Sequence, residues 1–349
     1  MIGSNYYPIM DTLPRRTVAR ALLAVQTYDL SVLVADAADG ALVTLDGLPP
    51  MPDPRLLGLS GDGTLLLLSA TKTIVYEPRR AVMRLPATPP PWPYVEEILA
   101  RDPTARIEPD HTLTFSSAIG RMPDLRLCLL DLPTGEPRWL EFPQVPAGRS
   151  LAGLSPDGGT VAIAWASEDE DEFSTVSVDL VDVASGTRRH LWTSSTYMWS
   201  STHPISWSPD GRRLAATLSW FDDESDDDWD TVIVLDTATG ELLQRADFSA
   251  QYGWPSAAEV CLHGRESDYV LNVETGATTP ITFRWLDNQS SGGIITAADG
   301  RIVMRRGFNH APSAYLHTDT TGGDIRPLLT SQEDFVAMFT AAGFLGLSA

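Results

Sequence analysis

Four segments of this 349-residue chain repeat one pattern, an Asp-Gly turn between two apolar runs. They are Leu59-Ser60-Gly61-Asp62-Gly63, Leu154-Ser155-Pro156-Asp157-Gly158, Trp207-Ser208-Pro209-Asp210-Gly211 and Thr296-Ala297-Ala298-Asp299-Gly300. Apolar runs follow each, at 65–68, 161–165, 214–218 and 302–304. Glycine accepts a positive φ and aspartate caps the turn, so Asp-Gly between two such runs marks a tight hairpin. A second signature, an alternating strand ending in Asp-x-x-x-Gly or a close variant, spans 32–40, 127–135, 178–186, 232–240 and 269–276. A chain so punctuated is built from short antiparallel strands.

Spacing turns the repeat into an architecture. Asp62 to Asp157 is 95 residues, Asp157 to Asp210 is 53 and Asp210 to Asp299 is 89. The long gaps are about twice the short one, so each is expected to hide a degenerate unit. The skipped turn of the first falls at Glu77-Pro78-Arg79-Arg80. A period near 45 residues with four strands per unit is that of a β-propeller blade. The second turns at Gly40, Arg79, Gly135, Gly186, Gly240, Gly276 and Gly322-Gly323 count seven blades. The fold expected over residues 1–349 is one all-β propeller of mostly four-stranded antiparallel blades. Only 36 residues separate Gly240 from Gly276, which leaves a three-stranded blade or a six-bladed ring open.

Ser-Pro-Asp-Gly, a short apolar strand and an outer hairpin ending Asp-x-x-x-Gly resemble the WD40-like propeller repeats of bacteria. The TolB propeller and the propeller domain of prolyl oligopeptidases carry the same repeat. The resemblance covers nearly the whole chain and is best around Asp157 and Asp210. It implies a fold and leaves function open, because propellers host unrelated activities. The Gly-x-Ser-x-Gly elbow of the oligopeptidases occurs nowhere in this chain. The first recognisable strand, 21–28, reads as the second of its blade. The missing innermost strand is then expected from 335–339 or from residues near Tyr6, closing the ring through a blade shared by both termini. A short helix over 333–342 is the competing reading of that tail.

Composition narrows the function classes. With 25 Lys+Arg against 46 Asp+Glu the net charge is -21, which repels nucleic acid and anionic membrane. No basic-then-apolar leader and no apolar run long enough to span a bilayer is visible, and Cys128 and Cys261 sit in strand-like runs as buried free thiols. A cytoplasmic monomer is expected. No metal-ligand spacing joins the six histidines, and no phosphate loop can be written; no cofactor is expected.

The remaining chemistry collects in the connections. If strands a to d run outward, the a–b and c–d turns share one face, and the b–c and d–a connections share the other, around the channel mouth. Between b and c of the fourth unit fall Glu168, Asp169, Glu170, Asp171 and Glu172. Asp222, Asp223 and Glu224, then Asp226, Asp227, Asp228 and Asp230, fall between b and c of the fifth. Without these 12 carboxylates the net charge of -21 falls to -9, so the excess is local. Solvated loops, a docking rim for a basic protein and a Ca²⁺ site at Asp226, Asp228 and Asp230 all fit. The last departs from a calcium loop at Thr231, where Gly is expected at position six. Trp192, Tyr197, Trp199, Trp220, Trp229, Tyr252 and Trp254 gather near the same face, as a ligand-binding aromatic rim or as inter-blade core. The favoured reading is a non-catalytic module that binds a basic protein or small-molecule ligand there. The alternative is an enzyme, a hydrolase, lyase or cyclase of secondary metabolism, using His203 or His310 at the channel mouth as acid/base.

Overall fold

The computed structural model describes residues 13–27, 31–39, 41–46, 48, 55–69, 75–85, 93–121, 126–140, 150–168, 174–194, 205–222, 227–264, 267–281, 294–306, 313–323, 325–331 and 335–340. They form a single six-bladed propeller. Blade 1 contains β1 (Arg15–Arg16), β2 (Ala21–Thr27), β3 (Val32–Asp36) and β4 (Leu42–Leu45). Blade 2 begins with β5 (Arg55–Leu59) and β6 (Leu65–Ser69). Its chain then leaves for β7 (Val75–Arg84), α1 (Pro93–Arg101), β8 (Arg106–Ile107) and β9 (Thr112–Arg121), and returns as β10 (Arg126–Leu130) and β11 (Pro137–Leu140). Blade 3 is β12 (Ser150–Leu154), β13 (Thr160–Glu168), β14 (Ser174–Asp182) and β15 (Arg188–Ser194). Blade 4 is β16 (Ser206–Trp207), β17 (Arg213–Asp222), β18 (Asp227–Asp236) and β19 (Leu242–Ala246). Blade 5 is β20 (Ala250–Gln251), β21 (Glu259–His263), β22 (Asp268–Asn272) and β23 (Thr278–Pro280). Blade 6 is β24 (Ile294–Ala298), β25 (Arg301–Arg306), β26 (Ser313–Asp319) and β27 (Arg326–Ser331). The last strand, β28 (Phe335–Thr340), pairs antiparallel with β2 and is the innermost strand of blade 1.

The expected blade count is corrected. The ring has six blades, because the segment around Glu77-Pro78-Arg79-Arg80 is an insertion and not a skipped blade. Ser69 pairs with Arg126, so β6 and β10 are adjacent strands, and residues 70–125 branch out between them into the separate sheet β7-β9-β8. The acidic segments therefore belong to blades 3 and 4. The tail supplies the innermost strand expected over 335–339, as a strand over 335–340 on the open edge of β2, and not the competing helix. The short unit between Gly240 and Gly276 has all four strands, two of them only two and three residues long.

The core lies between blades and explains the unbroken apolar runs. In β6, Leu65 and Leu67 pack toward blade 1 while Leu66 packs toward blade 3. A strand buried on both faces needs apolar residues at every position. Six such clusters join the blades in a closed ring, the last through Leu23 and Leu33 of blade 1 against Val303 and Tyr315 of blade 6. Glycine marks the closest approach at the centre: a Cβ on Gly153 of β12 would fall on the Ile205 carbonyl oxygen next to β16. Leu85, Val95 and Leu113 give the insertion a small core of its own.

Candidate functional site

The turn signatures fix which face is which. On the a–b side the Ser155 hydroxyl donates to Asp157 at 2.6 Å and Ser208 to Asp210 at 2.6 Å, and the following Gly158 and Gly211 have φ near +70°. On the c–d side Gly186 donates its N–H to Asp182 O and Gly240 to Asp236 O. These turns recur from blade to blade and are filled by their own hydrogen bonds. Serine and backbone N–H groups hold the Asp157 carboxyl below its ordinary range, the Ser155 bond contributing most.

The b–c face is unequal around the ring. In blade 4 the β17/β18 ladder continues for five residue pairs beyond Val232, the last position paired to β19. At about 3.3 Å per residue this is a two-stranded arm roughly 16 Å long. Along it Leu218 is opposite Thr231, Ser219 opposite Asp230, Trp220 opposite Trp229, Phe221 opposite Asp228 and Asp222 opposite Asp227. Blade 3 overhangs by two pairs, ending at Glu168 opposite Ser174. In blade 5 the β21/β22 ladder stops at His263 opposite Asp268, level with its neighbours. Blade 2 carries the insertion on the same face.

Of the carboxylates named from sequence, Glu168, Asp222, Asp227, Asp228 and Asp230 lie on these strands, with Asp230 half-buried. Asp169, Glu170, Asp171, Glu172, Asp223, Glu224 and Asp226 lie outside the described residues, as do Tyr197, Trp199, His203 and His310. Asp228 and Asp230 occupy an extended strand, whereas calcium-loop ligands converge because the chain turns around the ion. Among the described residues no group of three or more His, Cys, Asp or Glu could hold a metal. Cys128 and Cys261 are buried free thiols, and burial pushes Cys128 up to about 11.

The aromatics divide. Trp254 is 2% exposed, packs between blades 4 and 5, and donates its indole N–H to Ser206. Trp192 is half-buried against the core between blades 3 and 4. Tyr252 packs between blades 5 and 6, and its phenol is pushed up by burial and by the charge of Asp268. Trp220 and Trp229 are opposite one another in the β17/β18 register of the blade 4 arm.

Two polar clusters were not foreseen. On blade 5, His263 Nδ1 lies 2.7 Å from Oδ1 of the buried Asp268, with the Tyr252 ring 5.9 Å away in edge contact. With Nδ1 engaged, Nε2 is the ring nitrogen left for other work. The imidazole is 44% exposed on the b–c face. On blade 3 the Asp179 carboxylate, 3% exposed, meets Arg188 Nε at 3.0 Å, His190 Nδ1 at 3.0 Å and the Trp165 indole N–H. A charge so deeply placed requires such partners, and the Arg188 guanidinium also lies 5.3 Å from the Trp165 ring. An aspartate between Val178 and Leu180 in an apolar strand is the sequence signal for this cluster. His263 and Asp268 bracket a short hairpin turn, the signal for the other.

No family model matches the chain, and no curated protein matches it. Solved structures do. TolB from Acinetobacter baumannii superposes with a TM-score of 0.51 at 14% identity, covering 92% of this chain and 66% of that one. An oligogalacturonate lyase in complex with manganese gives 0.45 at 13% identity, over 90% and 75%. A putative TolB from Agrobacterium tumefaciens gives 0.38 at 15%, over 74% and 92%. The chain thus has the fold of TolB-like β-propellers and spans about two thirds of the first of these proteins.

Proposed function

We propose that the chain is a non-catalytic interaction module that docks a basic protein on its b–c face. The observation that carries this is the blade 4 arm, which extends the strands bearing Asp222, Asp227, Asp228 and Asp230 past the rest of the blade, on the face where blade 3 ends at Glu168. A raised acidic edge speeds encounter with a cationic surface at low salt and loses that effect as salt screens it. The test is binding of a labelled ten-lysine peptide to the wild type and to a variant with carboxylates 168–172 and 222–230 changed to amides. The wild type should bind at low salt, release as salt rises, and exceed the variant by at least tenfold. Equal binding by the two proteins would reduce these acids to a solubility device.

A second reading, catalysis on the same face, is supported by one observation: His263 is oriented by buried Asp268 with its other nitrogen available for proton transfer. Under that reading a screen of hydrolase and lyase substrates finds turnover by the wild type that His263→Ala abolishes, while lysine-peptide binding survives.

A further inference from the structure

The fold covers or shortens most of its sheet edges. β1 caps the outer strand of blade 1 by pairing in parallel with β4, and Arg16 clamps it to Asp36 and Asp39 at 2.8 Å. The other outer strands, β11, β15, β19, β23 and β27, have four, seven, five, three and six residues. β7 departs from this. It runs for ten residues, pairs with β9 along one side and, among the described residues, has no strand on the other.

The direction of its backbone groups follows from the register. In an antiparallel pair, alternate residues turn both N–H and C=O toward the partner or away from it. The β7/β9 register is unbroken from Val75 opposite Arg121 to Arg84 opposite Thr112. The next residue, Leu85, donates its N–H to His111 O at 2.9 Å, so odd-numbered residues face β9. Even-numbered residues turn their backbone groups outward. Pro78 agrees, since proline lacks the N–H and is tolerated in a strand at such an outward edge position. Beyond Pro78 the outer edge presents the N–H and C=O groups of Arg80, Val82 and Arg84.

Composition selects the partner. Residues 72–84 hold Lys72, Arg79, Arg80 and Arg84 against Glu77 alone, in a chain of net charge -21. A second copy of β7 paired about Arg80 or Val82 would set arginine opposite arginine, which is unfavourable across a ladder. We propose that the outer edge of β7, from Arg80 to Arg84, receives an extended acidic peptide segment of another protein as an added strand. Backbone hydrogen bonds hold such a strand, and its carboxylates complement the positive charge of this segment's sequence. Arginine and proline also guard edges against unwanted pairing; the experiment separates the two roles.

The probes are fluorescein-labelled peptides of alternating glutamate and valine and of alternating lysine and valine. Hydrogen exchange is read at the amides of Arg80, Val82 and Arg84. The glutamate peptide should bind and slow exchange there by at least tenfold, and the lysine peptide should not. Val82→Pro removes an outward N–H and none of the β7–β9 bonds, so it should weaken binding at least tenfold with the melting temperature unchanged. Should that variant misfold, Arg80→Glu with Arg84→Glu serves instead, losing the glutamate peptide and admitting the lysine one at the same amides. Slow exchange at these amides in the free protein, equal slowing by both peptides, or no slowing by either would overturn the proposal. None of these readouts involves the carboxylates of blades 3 and 4, so docking on the acidic arm stands or falls separately.

Discussion

The two faces of the ring are built on different terms. On the a–b and c–d face most turns of blades 2 to 6 repeat one solution, the a–b turn of blade 5 excepted: a short turn, an aspartate or asparagine bonded to nearby N–H groups, and a glycine in the left-handed region. On the b–c face successive blades differ: an insertion of residues 70–125 on blade 2, overhangs of two and five residue pairs on blades 3 and 4, and a level turn on blade 5. The repeated face holds the ring together, and the variable face is where extra chain and extra charge accumulate. Loops that vary on a rigid scaffold are where binding usually resides.

If that division is real, single atoms should matter on one face and whole segments should be dispensable on the other. Gly240 has φ near +76°, and a Cβ there would fall on the Leu191 carbonyl oxygen of the neighbouring blade. Gly240→Ala should therefore cost on the order of 3 kcal/mol, read as a lower melting temperature. Replacing residues 70–125 by a four-residue glycine turn should leave a folded ring, since Ser69 and Arg126 already pair. Its melting temperature is expected within a few degrees of the wild type. Loss of cooperative unfolding on this excision would make the insertion part of the ring and dissolve the contrast.

The same contrast explains what could be read from sequence. Blades 3 and 4 were legible from Asp157 and Asp210, because their turns need residues that few other positions need. The double-length gap to Asp299 did hide a blade, whose a–b turn uses Gly253-Trp254-Pro255-Ser256 in place of Asp-Gly. The double-length gap before Asp157 did not. An insertion of 56 residues with its own long hairpin has the length and strand pattern of a blade, so spacing alone could not distinguish them. The telling difference was local: prolines at 86 and 89–91, then a helix with Val95 and Ile98 on one side. At the candidate site the charge runs were legible, but as connections between strands b and c, whereas Glu168, Asp222, Asp227, Asp228 and Asp230 lie on the strands themselves, which extend past the ring. The His263–Asp268 and Asp179–Arg188 pairs left only indirect signals in sequence, because the register that joins them comes from the folded sheet.

Smaller effects probe the repeated face through its aspartates. Asp157, Asp182 and Asp319 have depressed pKa values caused first by side-chain hydrogen bonds from Ser155, Ser185 and Thr321, and Asp236 by the Thr239 N–H. A carboxyl depressed in the folded state binds protons more readily when unfolded. Its contribution is complete above the ordinary value of 3.8 and fades as pH falls through the lower folded value. Melting temperature should thus decline below about pH 4, and Asp157→Asn should flatten that decline. At neutral pH, Ser155→Ala should cost about 1 kcal/mol by removing the hydroxyl bond.

The smallest effect on stability is expected where the charge is greatest. Changing Asp222, Asp227, Asp228 and Asp230 to asparagine removes like charges on a protruding arm whose ladder is held by backbone pairing. Mutual repulsion is relieved while the backbone ladder stays, so stability should move by less than about 0.5 kcal/mol, in the stabilising direction. Binding of the lysine peptide should fall at least tenfold in the same variant. A variant that loses stability as well as binding would show that the arm shares the structural duty of the opposite face; one that changes in neither respect would leave the division of the ring without a function for its acidic side.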